Sequence, residues 1–233
     1  MLLDHDIRMD AGTGVGDLSF EELARIDHIF VTHCHLDHVC SIPLIVDTVG
    51  GVRDKPLTIY ATQETIAILQ EHLFNWKLWP DFSQIPRNAP LMRYQPVNVG
   101  QPVELAGRKI TPLPALHVVP AVGYHIDSGE GSLVYTGDTT TNDELWSVVN
   151  EITNLRYLII ETAFSDRERD IAHASKHLCP SMLAEELSKL QRPADILITH
   201  LKPDEMDITM LEIKLSCGAH RPRMLEQGDI LRF

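Results

Sequence analysis

The stretch "VTHCHLDHVC", Val31 to Cys40, places His33, His35, Asp37 and His38 within six positions. In a chain of 233 residues with 12 histidines, a His-x-His-x-Asp-His pattern would arise by chance roughly 0.002 times, so coincidence is a poor account of it. The residues before it, "HIFV", are apolar and β-branched, which predicts a strand delivering its end to His33. Alternate residues of an extended segment point the same way, so His33 and His35 share a side while Cys34 turns away to pack. Asp37 and His38 then follow as the chain enters a helix. Imidazole and carboxylate together suit Zn, Mn or Fe, and a catalytic ion keeps one coordination position open. The donors are therefore too many for one ion.

Working outward, other short apolar runs alternate with helical patterns. "LTIYAT" (57–62), "GYHID" (123–127), "SLVYTGD" (132–138), "LRYLIIE" (155–161) and "DILITH" (195–200) read as strands beside "HIFVTH" (28–33). Residues 41–49, 62–75, 141–152, 181–191 and 208–217 read as helices, with Thr141 to Glu144 spaced as a capping box. The Pro-rich span 80–120 reads as loops and short strands, and "GTGVG" (12–16) as a loop too short for a dinucleotide fingerprint. This is a mixed α/β pattern. His33, Asp138 and His200 each end an apolar run, where a packed sheet holds a side chain firmly while leaving it accessible. His117, in "PLPALHVVP", is a further donor downstream.

Composition sets the outer bounds. A chain of 233 residues with 44% hydrophobic content can bury a substantial core, and one domain over 1–233 is the expectation. The formal charge of -13, from 20 Lys+Arg against 33 Asp+Glu, argues against a phosphate-tracking nucleic-acid surface and for a small, locally captured substrate. Four cysteines without CxxC spacing read as reduced and cytoplasmic. The acidic start "MLLDHDIRMD" lacks the basic and apolar regions of a signal peptide, and no stretch is long enough to cross a bilayer. A homodimer is the commonest assembly for such a chain.

The motif His33-Cys-His35-Leu-Asp37-His38, followed in order by a lone His117, the "TGD" Asp138 and the strand-end "TH" of His200, resembles the metallo-β-lactamase superfamily of dinuclear hydrolases. That resemblance implies an α/β, four-layer αββα sandwich. It also implies two divalent ions, Zn first with Mn or Fe as alternatives: His33, His35 and His117 on one, Asp37, His38 and His200 on the other, Asp138 bridging. Asp10, in "RMDAGTG", matches an Asp that supports the ligands from behind. Within the superfamily, "THCHLDHVCSIPLIVD", "FNWKLWPDF" (74–82) and "KHLCP" (176–180) are similar to class II cyclic-nucleotide phosphodiesterases. The implied substrate is a 3',5'-cyclic nucleotide or a similar small phosphodiester.

Two ions about 3.5 to 4 Å apart can hold a bridging hydroxide and stabilise both oxygens of an in-line displacement, so no protein nucleophile is needed. Asp37, counted among the ligands, and His177, as donor to the leaving ribose oxygen or as a phosphate contact, are the candidate catalytic residues. The ordinary roles weigh against some of this. His177 is as readily a helix-start residue, and Trp76, Trp79 and Phe82 as readily a satellite hydrophobic cluster as a lid over a base. His5, His28, His72, His125, His173 and His220 read as structural or exposed.

Three rivals remain on sequence grounds. A tRNase Z-like endoribonuclease shares the metal residues, but only 21 positions (138 minus 117) separate His117 from Asp138, leaving no room for a tRNA-clamping insertion. Redox di-iron proteins of the same scaffold typically carry Glu where this chain has His35. A scaffold without chemistry is disfavoured because all seven implied ligands are present.

Overall fold

The computed structural model describes residues 1–233, in two compact units, 1–98 and 99–233. The first unit holds β1 (Leu2–Leu3), β2 (Ile7–Met9), α1 (Phe20–Arg25), β3 (His28–Phe30), α2 (Leu36–Val39), α3 (Ile42–Val49), β4 (Leu57–Ala61), α4 (Gln63–Ile68) and β5 (Met92–Pro96). Its five strands form a sheet in the order β1-β2-β3-β4-β5. Only β1 runs antiparallel to its neighbour; β2 through β5 are parallel. Parallel strands are covered on both faces, which is why "LTIYA" of β4 is buried at every position. Ile29, Ile42, Ile45, Ile59, Leu69 and Phe74 fill this core, each fully buried apolar side chain contributing about 1.5–3 kcal/mol.

The second unit holds β6 (Val103–Leu105), β7 (Arg108–Pro114), β8 (Val122–Asp127), β9 (Ser132–Tyr135), α5 (Asp143–Val149), β10 (Leu155–Glu161), α6 (Arg169–Ser175), α7 (Pro180–Leu187), β11 (Asp195–Thr199), α8 (Met206–Ser216) and β12 (Arg223–Met224). Its seven strands are ordered β12-β11-β10-β9-β8-β7-β6. β6 to β9 pair antiparallel, and β9 to β12 parallel. Two prolines stand inside β7, yet β6 pairs only with residues 108–110, so Pro112 and Pro114 lie where one edge of the strand needs no donor. Leu158, Ile160, Leu183, Leu187, Ile196 and Ile198 make its core.

Because β7 is antiparallel to β8 and β8 to β9, strands β7, β9, β10 and β11 all end on one edge of this sheet. The C-terminal edge of parallel strands is where α/β sheets hold ligands. In the first unit β2 and β3 likewise end together.

The structure departs from several expectations. Strands expected to reach His33 and Asp138 end at Phe30 and Tyr135, three residues sooner: Thr32 N–H turns to the Asp10 carboxylate, and Gly137 takes a left-handed conformation before Asp138. The helix before Ile152 starts from Asn142, not a Thr141 capping box: the Asn142 side chain accepts from Leu145 N–H, while its own N–H is taken by Glu186. The 62–75 helix gives way after Ile68 to a π-helical turn over Leu69–Leu73. "GTGVG" lies in a short 3-10 helix, Thr13–Asp17, rather than in a loop. Trp79 and Phe82 pack against the core of the first unit, whereas Trp76 is exposed. No helix is long and apolar enough to cross a membrane.

Candidate metal centre

In the first unit the donors rest on a buried carboxylate. Asp10 directly follows β2 with φ of 52°, an uncommon left-handed conformation for a residue other than glycine. Its N–H donates to Phe30 O (2.8 Å) at the end of β3. Its carboxylate accepts from Thr32 N–H (2.7 Å) and from the Thr32 hydroxyl, and lies 2.8 Å from His38 Nδ1. His33 Nδ1 is 3.0 Å from the same hydroxyl, so that a chain His33 Nδ1–H to Thr32 Oγ1–H to Asp10 fixes the ring. Burial raises the Asp10 pKa, but the His38 hydrogen bond and charge and the Thr32 N–H outweigh it and hold the carboxyl below its ordinary range.

These contacts settle which ring nitrogen each histidine presents. With Nδ1 of both His33 and His38 engaged by oxygen, Nε2 is the donor atom, the arrangement usual for metal-binding imidazoles. His33 Nε2 lies 3.1 Å from His35 Nδ1, and His38 Nε2 3.7 Å from the outward-facing Asp37 carboxylate. Gly12 holds the loop close: a Cβ there would stand 1.5 Å from Asp37 O. Ala11 N–H donates to His38 O (2.7 Å) and Ser41 Oγ to Gly12 O (2.8 Å), completing the cradle.

The second unit supplies the remaining donors from one sheet edge. His117 follows β7, Asp138 follows β9 through the left-handed Gly137, and His200 follows β11 with φ of 62°. Asp138 Oδ2 is 3.1 Å from His200 Nε2, and Asp138 also offers an oxygen within 4.8 Å of a His117 nitrogen. Asp138 thus lies within reach of both histidines. His117 Nδ1 lies 3.1 Å from Lys176 O, and Lys176 Nζ donates to His117 O (3.0 Å), so this imidazole too presents Nε2.

His177 belongs to the same group. Its ring stacks on His200 (5.0 Å between centroids, 27° between planes) and meets His117 edge-on at 4.9 Å. Its Nδ1 lies 2.7 Å from Glu161 Oε1. Glu161 is wholly buried at the end of β10 and also accepts from the N–H groups of Thr139, Ala163 and Leu178. Burial pushes the Glu161 pKa up, with the His177 hydrogen bond opposing it. Sequence reasoning missed Glu161, although "LIIE" carries the same signal as "FVTH" and "ILITH": a polar residue closing an apolar strand.

Donor chemistry and spacing both fit divalent ions. Two ligands of one tetrahedral ion bound at about 2.0–2.1 Å stand roughly 3.3 Å apart, near the 3.1 Å of His33 with His35 and of Asp138 with His200. A separate group, Asp6, Asp27 and His28, also brings donor atoms within 4.8 Å, but Asp27 is already bound by Arg53 and Lys55, each at 2.7 Å. Its charge is neutralised by protein.

Comparison with known proteins agrees with this frame. A family model described as a beta-lactamase superfamily domain matches residues 6–201, and the chain belongs to that superfamily. Its fold is the α/β metallo-β-lactamase fold, which implies divalent-metal binding by the His/Asp set. A protein of Yersinia pestis named a probable 3',5'-cyclic-nucleotide phosphodiesterase is 29% identical over 242 residues, covering 89% of this chain and 68% of its own length. A 3',5'-cyclic-nucleotide phosphodiesterase of Aliivibrio fischeri is 27% identical, covering 76% of this chain; the match spans 60% of that relative's length. Unliganded yeast PDE1 shares the fold with a TM-score of 0.78 at 20% identity, over 90% of this chain and 69% of that one. The short form of human tRNase Z shares it with a TM-score of 0.64 at 18% identity, over 88% and 85%.

Proposed function

We propose that this chain is a metal-dependent phosphodiesterase that hydrolyses a 3',5'-cyclic nucleotide or a similar small phosphodiester. The observation that carries this is the His177–Glu161 pair set against His117 and His200. A phosphodiester needs a proton for its leaving oxygen, and here an imidazole held by a buried carboxylate stands beside the metal-type donors. Relatives over most of the chain carry the phosphodiesterase name.

In this reading the donors of both units act together as one domain over 1–233. His33, His35 and His117 would hold one ion and Asp37, His38 and His200 the other, with Asp138 shared by both. Zn is the first candidate, with Mn and Fe behind it, because imidazole with carboxylate suits all three. When bound, such ions supply Lewis acidity toward the phosphoryl oxygens and the attacking water. The protein's own part is positional. Asp10 and Thr32 keep His33 and His38 in one tautomer, Lys176 O does the same for His117, and Glu161 holds His177 Nδ1–H so that Nε2 faces outward. His177 Nε2–H then hands its proton to the departing ribose oxygen, while Glu161 steadies the ring on both sides of that transfer. Asp37, carried at the start of α2 with an exposed carboxylate, remains the second catalytic candidate.

A homodimer and a cytoplasmic location complete the proposal, the latter supported by four free thiols. The test is a substrate panel on metal-analysed protein: cyclic AMP and cyclic GMP, bis(p-nitrophenyl) phosphate, and precursor tRNA. The expected result is turnover of the cyclic nucleotides, abolished by chelation and restored by Zn or Mn. Clean 3' processing of precursor tRNA without cyclic-nucleotide turnover would instead establish the ribonuclease reading, which the likeness to a wheat nuclear ribonuclease Z (33% identity over 103 residues) keeps alive.

A further inference from the structure

Helix α8 is apolar on two sides. Thr209 and Ile213 face the core, Met210 packs against it, and α8 lies on α7. The opposite side carries Ile208 (38% exposed), Leu211 (52%) and Leu215 (79%). Their spacing of three and four residues draws one stripe along the helix, and an apolar stripe on the side away from the core is ordinarily covered by a partner.

The charges beside the stripe say what covers it. At 100° per residue Asp207 and Lys214 fall on the same flank of the stripe, near its two ends. Both are exposed, and neither makes an ion pair within the chain. Glu212, on the other flank, is occupied by Asp166 N–H. When two copies of a helix pack antiparallel, equal flanks face each other; when they pack parallel, opposite flanks do. Antiparallel pairing about Leu211 therefore sets Asp207 of each copy against Lys214 of the other, twice by symmetry. The same register places Leu211 on its own copy and Leu215 on Ile208. Hydrophobic and electrostatic patterns agree on a single two-fold arrangement.

We infer that the exposed face of α8 is a self-association surface, taking a second copy of this chain in an antiparallel, two-fold helix pair. This deepens the dimer of the proposed function by naming its surface. An 11-residue helix is about 16 Å long, and a stable interface buries about 800 Å² on each partner. The helix pair is thus the centre of the contact, and the association is reversible and concentration-dependent.

Sedimentation of the full chain over a wide concentration range tests this. The wild-type chain is expected to pass from monomer to dimer, and the L211D/L215D double variant to stay monomeric with its thermal unfolding unchanged, since both side chains point outward. L211S/L215S serves as a milder second variant. Either D207K or K214D alone should weaken association on the order of tenfold by setting like charges together, and D207K/K214D together should restore it. A wild-type chain that is monomeric throughout overturns both this surface and the dimer. A dimer indifferent to the leucine changes overturns the surface alone, and failure of the double charge exchange to rescue overturns the antiparallel arrangement.

Discussion

Glu161 Oε1 and His177 Nδ1 stand 2.7 Å apart, the carboxylate wholly buried and its remaining lone pairs taken by three backbone N–H groups. A carboxylate so fully bonded has no freedom to do other than hold the ring. E161Q keeps the shape but offers an amide in place of a charged acceptor, so kcat for a cyclic nucleotide is expected to fall on the order of 100-fold with bound metal unchanged. H177A should cost at least as much, and the double variant no more than H177A alone, because residues acting as a unit are not additive. Additive losses in steady-state kinetics would show that the two act separately.

In the proposed metal site Asp10 would perform the parallel service. Its carboxylate holds His38 directly and His33 through Thr32. Removing an outer partner of a metal-binding imidazole typically costs 10–100-fold in affinity. D10N is expected to lower Zn affinity by about that range, read by competition with a chromophoric chelator. Unaltered affinity with a folded protein would remove Asp10 from the site's support.

Gly12 sets how closely two loops approach. Its absent Cβ would lie 1.5 Å from the backbone oxygen of Asp37, a contact no rotamer can relieve. G12A is expected to destabilise the chain by several kcal/mol or prevent soluble expression, whereas G14A, whose added carbon meets nothing nearer than 4.0 Å, should change stability by less than about 1 kcal/mol. Urea unfolding of the two variants side by side decides it. Equal midpoints would mean the 10–12 loop yields freely.

The order of these effects follows from what the sequence made visible. The donors were legible because they are rare side chains at the ends of apolar runs, and a strand end is a local property. Residues 155–161 were readable as a strand to the last residue for the same reason. Glu161 itself was not singled out, since a terminal acid on a strand looks like any solvated charge until the backbone N–H groups that bury it are known. Helix α1 was missed although Ser19 and Glu22 make a true capping box there, because the helix has only six residues and buries none of them fully. At Thr141 the same spacing misled: the N–H of Asn142 is claimed by Glu186, 44 residues on, and Asn142 becomes the cap. Which of two similar caps forms is decided by a distant partner, which no local pattern contains.

Acid stability gives the last prediction. Asp27 closes β3's entry, with Arg53 and Lys55 each 2.7 Å away. Burial raises its pKa, but the Lys55 and Arg53 hydrogen bonds and charges more than offset this and leave it below the ordinary value of 3.8. An acid with a depressed folded-state pKa stabilises fully above its unfolded value, and that contribution is lost as pH falls through the folded one. Stability should therefore be level from neutral pH down to about pH 4 as far as Asp27 is concerned, and decline below it. D27N should be less stable than wild type at neutral pH, since it strands two cations, and the two curves should converge as the wild-type carboxylate protonates. Denaturant midpoints measured from pH 7 to pH 3 test this directly. A constant gap between the curves across that range would mean that the Asp27 pair contributes through shape and not through charge.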